Sequence, residues 1–298
     1  MKRTYSLILF LNAFLLPATL LAQGRDSRLL TPALGHYKQL AAFDSSPTPD
    51  GAELDKLKYP FDAPLAERRL SLKPIYLVNV KLEDFKVPEM PANSSARTRA
   101  ELKYLMALQR TRTSEDVRTS LHMANVYYNL RVKPTDTTYA RYRRNLFQIG
   151  RSIGSWFNPD TLPLTTELMA RVWQDASYFT WSLKYHFARV RPYKLETGLR
   201  NLEETNWEAY PSGHAANSYI NAYVFSELAS EFAAYFVKDA YDMAHSREIL
   251  GVHYPSDSEA SRIFARQFVN KLFQNDQFLK DFEKVKSEWA LYAREKLD

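Results

Sequence analysis

Lys184 and Arg191 stand seven residues apart in a stretch of helical pattern. At about 100° per residue, seven steps make nearly two turns, so both cations are expected on one helix face. Pro192 disfavours helix at Arg191 and should end it there. Two long cationic side chains so placed can converge on one anion. A second segment, Tyr210-Pro-Ser-Gly-His214, precedes the helical pattern Ala215 to Phe236. Backbone N–H groups at a helix start, with the helix dipole behind them, suit an anion. Ser212 can add its hydroxyl, Gly213 lets a ligand approach the backbone closely, and His214 stands at the edge. The third segment is Ser246-Arg247, five residues, then His253-Tyr-Pro-Ser-Asp257. Asp257, four after His253, can hold one ring nitrogen and leave the other as a nucleophile. Arg247 adds a third cation. Each segment alone has a plain reading: a solvated basic face, a serine cap beside an incidental histidine, a capping aspartate beside a surface histidine. Together they supply neutralisation of phosphate oxygens, an in-line nucleophile and an acid for the leaving oxygen. Those are the needs of phosphoryl transfer to a histidine.

The elements that must position these residues are helical. From about Asn93 the apolar period is near 3.6, which makes the class all-α. Thr98-Arg-Ala-Glu101 reads as a capping box ahead of Leu102, Leu105 and Leu108. Thr113 opens a second helix through Leu121 and Tyr128, and a third covers about Thr138 to Trp156. A long helix runs from about Thr165 to Val190. Others are expected over about 214–236, 238–250, 256–273 and 276–296, with Ser256-Asp-Ser-Glu259 as another capping box. In the last, Phe278, Phe282, Val285 and Trp289 read as core. The aromatics Trp173, Tyr178, Phe179, Trp181 and Tyr185 also read as core, and Arg141, Arg143 and Arg144 as a solvated face.

Ahead of this body, residues 23–92 carry Pro32, Pro47, Pro49, Pro60, Pro64, Pro74, Pro88 and Pro91. Proline at that density breaks helices and ladders, so an irregular arm covering the main body is expected, with one extended piece at Ile75 to Val80. Residues 1–22 look like a secretory signal peptide. Lys2 and Arg3 start it, Leu7 to Leu16 is apolar except for Asn12, and small residues lead to cleavage after about Ala22. That apolar run is short for a membrane span, and no later stretch approaches about 18 apolar residues. A secreted or periplasmic mature chain without a membrane span is expected, in the divisions 1–22, 23–92 and 93–298.

The chain has 298 residues and no cysteine, which excludes disulfides, a cysteine nucleophile and thiolate metal sites. With only 8 glycines it contains no G-x-G-x-x-G or Walker run. The net charge of +6 suits an anionic ligand without demanding one and does not indicate nucleic acid. His36, His122, His186 and His245 fall outside the three segments and read as structural or surface residues.

The ordered set K-x6-R-P, P-S-G-H and S-R-x5-H-x3-D resembles the signature of the phosphatidic acid phosphatase type 2 superfamily. The matching residues are Lys184, Arg191, Pro192, Pro211, Ser212, Gly213, His214, Ser246, Arg247, His253 and Asp257. That superfamily includes bacterial non-specific acid phosphatases, membrane lipid phosphate phosphatases and vanadium haloperoxidases. The resemblance implies a helical bundle of the acid phosphatase and haloperoxidase type, and a secreted phosphomonoesterase working through a phosphohistidine. It implies that His253 attacks phosphorus, Asp257 orients it and His214 protonates the leaving group. Lys184, Arg191, Ser212, Gly213 and Arg247 would hold the phosphate, with no metal and no cofactor. Glu208-Ala209 before the second block and Ala215 after it depart from the class A acid phosphatases, so the subfamily stays open. The implied partner is a small-molecule phosphate ester. Oligomeric state stays open, as do a vanadate-dependent haloperoxidase, a phosphatase of lipid phosphates or diphosphates, and a non-catalytic phosphate-binding protein.

Overall fold

The computed structural model describes residues 35–293. The expected signal peptide at 1–22 and the start of the 23–92 stretch lie outside the described residues. Among those described there are twelve α-helices and no β-strand, so the class is all-α.

The proline-rich stretch is less irregular than its composition suggests. It holds α1 (Gly35–Ala41), α2 (Ala52–Asp55) and α3 (Ala63–Leu70). Asp62 caps α3 by accepting from the Leu65 N–H, and Pro64 sits in its first turn. Proline there starts a helix rather than breaking one, because the first N–H groups lack intrahelical partners anyway. The piece Ile75 to Val80 is not a strand. Its amides at Ile75, Tyr76 and Leu77 donate instead to the buried carboxylate of Asp175, at 2.5, 2.9 and 2.8 Å. A carboxylate has replaced the neighbouring strand that such amides would otherwise need.

The body comprises α4 (Ala96–Thr111), α5 (Ser114–Ala124), α6 (Tyr139–Asn145), α7 (Pro163–Phe187), α8 (Pro192–Leu195), α9 (Gly213–Leu228), α10 (Ala233–Ile249), α11 (Pro255–Leu272) and α12 (Asp276–Ala293). Helix α9 packs against α7, α10 and α11 and is buried along nearly its whole length. Its polar members bond inward: Asn221 Nδ2 donates to the Leu146 carbonyl, and Ser226 Oγ to that of Ala222. Helix α12 lays Phe278, Phe282, Val285 and Trp289 against the body, all buried as its period requires. At about 2 kcal/mol per buried side chain, that stripe outweighs any propensity term in fixing the helix.

Several helix ends differ from expectation. Helix α4 is capped by Ser95, which accepts from the Thr98 N–H, so Thr98 is not the cap. Helix α11 begins at Pro255, so Ser256 does not open a capping box either. Helix α5 stops at Ala124, short of Tyr128, where Asn125 Nδ2 takes the Leu121 carbonyl. Helix α6 ends at Asn145 because turns lead to Gly150, whose φ is +94°. A Cβ there would lie 2.6 Å from the Phe236 ring. Helix α7 ends at Phe187, not Val190, because Ala188 turns left-handed at φ +50°. No helix is long and apolar enough to cross a membrane among the described residues.

Asp175→Ala would leave three amides without their acceptor. Urea unfolding is expected to show a loss of about 3 kcal/mol or more, since a hydrogen bond to a charged group contributes on the order of 1.5–3 kcal/mol. An unchanged midpoint would mean that the carboxylate does not anchor this segment.

Candidate active site

The early end of α7 decides how the first segment works. Lys184 stays on the helix, while Arg191 lies four residues beyond its end in extended backbone (φ −71°, ψ 153°) as the cap of α8. The two cations therefore do not share a helix face. Each still lines one cavity of about 480 Å³, together with Gly213, His214, Arg247 and His253. The alternation of the extended segment turns Arg189 and Arg191 toward the same pair of residues, His253 and Asp257.

His253 and Asp257 are buried and bonded, Nδ1 to Oδ2 at 2.9 Å. The carboxylate oxygen also accepts from the Tyr254 N–H at 3.0 Å. An ionised carboxylate can only accept, so Nδ1 carries the proton and Nε2 keeps its lone pair. That lone pair accepts from Arg191 Nη1 at 2.9 Å. Burial first, then Arg191, Lys184 and Arg247, hold the His253 ring well below its usual 6.5.

The other oxygen of Asp257 takes Arg189 Nη1 at 2.6 Å. The same nitrogen donates to Ser256 Oγ at 2.7 Å, and Nη2 lies 3.4 Å from Glu101 Oε2. Glu101 in turn accepts the Ser256 N–H and hydroxyl, both at 2.8 Å. Arg189 also lies over the Tyr254 ring at 3.7 Å. Arg189, Glu101 and Asp257 are all fully buried. Burial would lower the Arg189 guanidinium, but the charges of Asp257 and Glu101 outweigh it and hold the group above its usual value. Burial raises the Glu101 carboxyl, against the pull of Arg189. Arg189, Glu101 and Ser256 escape sequence reasoning, because a buried ion pair between residues 101 and 189 leaves no local spacing to notice.

The cations of the cavity hold unspent donors. Lys184 Nζ donates to the carbonyls of Glu208 and Ala209 at 2.7 and 3.3 Å. Burial, then Arg191, pushes Lys184 well down. Arg191 is pushed to about 10, first by burial. Arg247 Nη2 pairs with Glu203. Arg191 Nη2 and Arg247 Nε and Nη1 are buried without a hydrogen-bond partner among the described residues. Three orphaned guanidinium donors beside one cavity are costly unless something anionic takes them.

Ser212 caps α9 by accepting from the Ala215 N–H at 3.4 Å, and lies behind the cavity rather than in its wall. Gly213 is in the wall. A Cβ there would meet only Lys184 and Thr180 carbons at 3.9 Å, so the protein's own packing does not demand glycine. His214 Nε2 donates to the Ala124 carbonyl at 3.1 Å, so the neutral ring leaves Nδ1 unprotonated. Burial first, then Arg247, holds this ring well below its usual value too.

The outer wall departs from expectation. Trp173 and Trp181, read as core, line the cavity with Trp207, Tyr127 and Tyr128. Phe179 alone of that aromatic run is fully buried. Arg69, from α3 in the proline-rich stretch, joins the wall and lies 3.6 Å over the Trp181 ring.

Residues 169–278 match the model of the PAP2 superfamily. Over 135 residues the chain is 33% identical to a non-specific acid phosphatase of Providencia stuartii, covering 43% of this chain and 54% of that one. Over 142 residues it is 30% identical to a non-specific acid phosphatase of Salmonella typhi, covering 46% and 57%. The chain spans about half the length of the curated relatives it matches. A solved bacterial vanadium-dependent iodoperoxidase aligns at TM-score 0.49 and 17% identity, over 80% of this chain and 64% of that one. The segment 169–278, which contains the whole run from Lys184 to Asp257, thus matches the PAP2 superfamily, and the chain resembles the bacterial non-specific acid phosphatases.

Proposed function

We propose that this cavity hydrolyses phosphate monoesters through a phosphohistidine. The observation that carries the reading is the set of three unpartnered guanidinium nitrogens on Arg191 and Arg247, in the same cavity as the unprotonated Nε2 of His253. In the first step the Nε2 lone pair forms the N–P bond as the ester P–O bond breaks. The leaving oxygen takes a proton from Nδ1 of a protonated His214. In the second step His214 takes a proton from water, the oxygen attacks phosphorus, and the N–P bond breaks to give inorganic phosphate. Asp257 holds the Nδ1 proton of His253 throughout and offsets the positive charge of the phosphorylated ring. Lys184, Arg191, Arg247 and the amide at Gly213 hold the three phosphoryl oxygens, while Ser212, whose own amide donates to the Asp257 carbonyl, supports the turn from behind. In this reading those cations supply the charge that a metal supplies elsewhere, and no cofactor takes part. The aromatic wall, with Arg69 above Trp181, faces the leaving group and favours esters with a flat or apolar body. The start of the chain supports export to a secreted or periplasmic location, with cleavage after about Ala22.

His253→Ala should lower turnover of p-nitrophenyl phosphate by about 10⁴-fold or more. His214→Ala should lower turnover of an alkyl phosphate by about 10²–10⁴-fold and of the activated aryl ester far less, since p-nitrophenolate leaves without a proton. Equal losses on both esters would remove His214 from the acid role. Bromide oxidation with vanadate and peroxide, in place of ester hydrolysis, would overturn the phosphatase reading.

The pH profile follows from the depressed His253 ring. The nucleophile stays neutral well below pH 6.5, so the acid limb of kcat/KM should lie below that value. A limb at or above it would contradict attack by His253. His214 starts depressed as well, and a bound phosphate dianion opposes the cations that depress it, raising its proton affinity in the complex. Because the unfolded chain binds protons that these buried rings refuse, stability should fall as pH drops below 6.5.

Arg189 acts as a positioning residue through Asp257. Arg189→Lys keeps the charge but cannot reach Asp257 and Glu101 from two nitrogens of one fork. It should lower kcat by about 10²-fold with KM nearly unchanged, as misplacement of a reacting group does. A folded variant that loses KM and kcat in equal proportion would assign Arg189 to the substrate instead.

A further inference from the structure

Apart from the cavity, a second cluster of ligand-type side chains joins α1 to α10. His36 comes from α1, and His245 and Glu248 lie three apart on α10. His245 Nδ1 is 3.1 Å from Glu248 Oε2, and His36 Nε2 is 3.9 Å from the same oxygen. One donor atom of each residue falls within 4.8 Å of the other two. Glu248 Oε1 already accepts the Tyr37 hydroxyl at 2.7 Å and the Ser258 hydroxyl at 2.8 Å, which leaves Oε2 for the imidazoles. Both rings are braced: His36 stacks on Tyr104 with planes 9° apart, and His245 on Tyr241 with planes 7° apart. A hydrogen bond from His245 accounts for one side of the carboxylate. It does not account for His36 Nε2, which is buried without a hydrogen-bond partner among the described residues.

We propose that His36, His245 and Glu248 bind a divalent transition ion of the zinc type. Two imidazoles and a carboxylate are borderline donors that favour Zn²⁺ or Co²⁺ over Mg²⁺ or Ca²⁺. Ligand atoms about 2.0–2.1 Å from a tetrahedral ion lie about 3.3 Å from one another, so His36 has only a short way to close. Tyr37 and Ser258 orient the carboxylate from behind, as outer partners of metal ligands do. The ion would offset the charge of Glu248, which is 1% exposed, and pin α1 to the body. The fourth position is left to water. The site shares no residue with the phosphate cavity, so it stands or falls apart from the phosphatase reading.

The test is titration of the chelator-treated full chain with Zn²⁺ and Co²⁺. One saturable equivalent is expected, with the intense visible bands of four-coordinate Co²⁺ and a rise in Tm with Zn²⁺ but not with Mg²⁺. His36→Gln and His245→Gln should each weaken Zn²⁺ binding at least tenfold and remove the Tm rise, while His253→Gln should keep both. X-ray absorption of the wild-type zinc complex should find two imidazoles in the first shell, which reads the ligands even if a variant fails to fold. The proposal is overturned by the absence of a saturable equivalent, by a zinc shell without two imidazoles, or by binding that survives both histidine substitutions and disappears with His253→Gln.

Discussion

One buried carboxylate organises the site. Asp257 gives one oxygen to the His253 ring and the other to the Arg189 guanidinium. Neither bond could exist alone at comparable depth. A fully buried aspartate with only a neutral ring beside it would be expensive to ionise, and a fully buried arginine needs more than one acceptor. Arg189 meets its need through Asp257, Ser256 and Glu101. The segment after α7, the second turn of α4 and the start of α11 are thereby tied to one point. The tautomer of His253 follows from that tie, and with it the direction of the Nε2 lone pair, which Arg191 meets from the cavity side.

The cavity inherits its polarity from this arrangement. Charges behind the histidine are matched, so the wall beside it is left with a surplus of cations. Lys184, Arg191 and Arg247 all have lowered proton affinity, chiefly through burial, which marks them as poorly compensated by the protein itself. An oxyanion is the natural complement of such a wall.

The sequence disclosed the residues that act at close range in the chain and hid those that act across it. Ser212, Gly213 and His214 are adjacent, and His253 reaches Asp257 within one turn, so their types and spacing announced them. The helix through Lys184 was legible by period, but its end was not: nothing in the letters Phe-Ala-Arg says that an alanine will turn left-handed at position 188. Glu101 and Ser256 looked like members of two separate capping boxes. Tertiary structure took both for one buried contact across 155 positions, which no local pattern encodes. The proline-rich stretch conceals its short helices for a related reason. Proline forbids the middle of a helix but suits its first turn, and Pro64 occupies that place in α3.

Glu203 holds Arg247 from the rim of the cavity, in competition with any oxyanion that enters. A newcomer can take the unpartnered Nε and Nη1 while Glu203 keeps Nη2, and the carboxylate opposes its negative charge as long as it stays. The hold on any bound oxyanion is thereby kept in check, so a cradle this rich in positive charge need not become a trap.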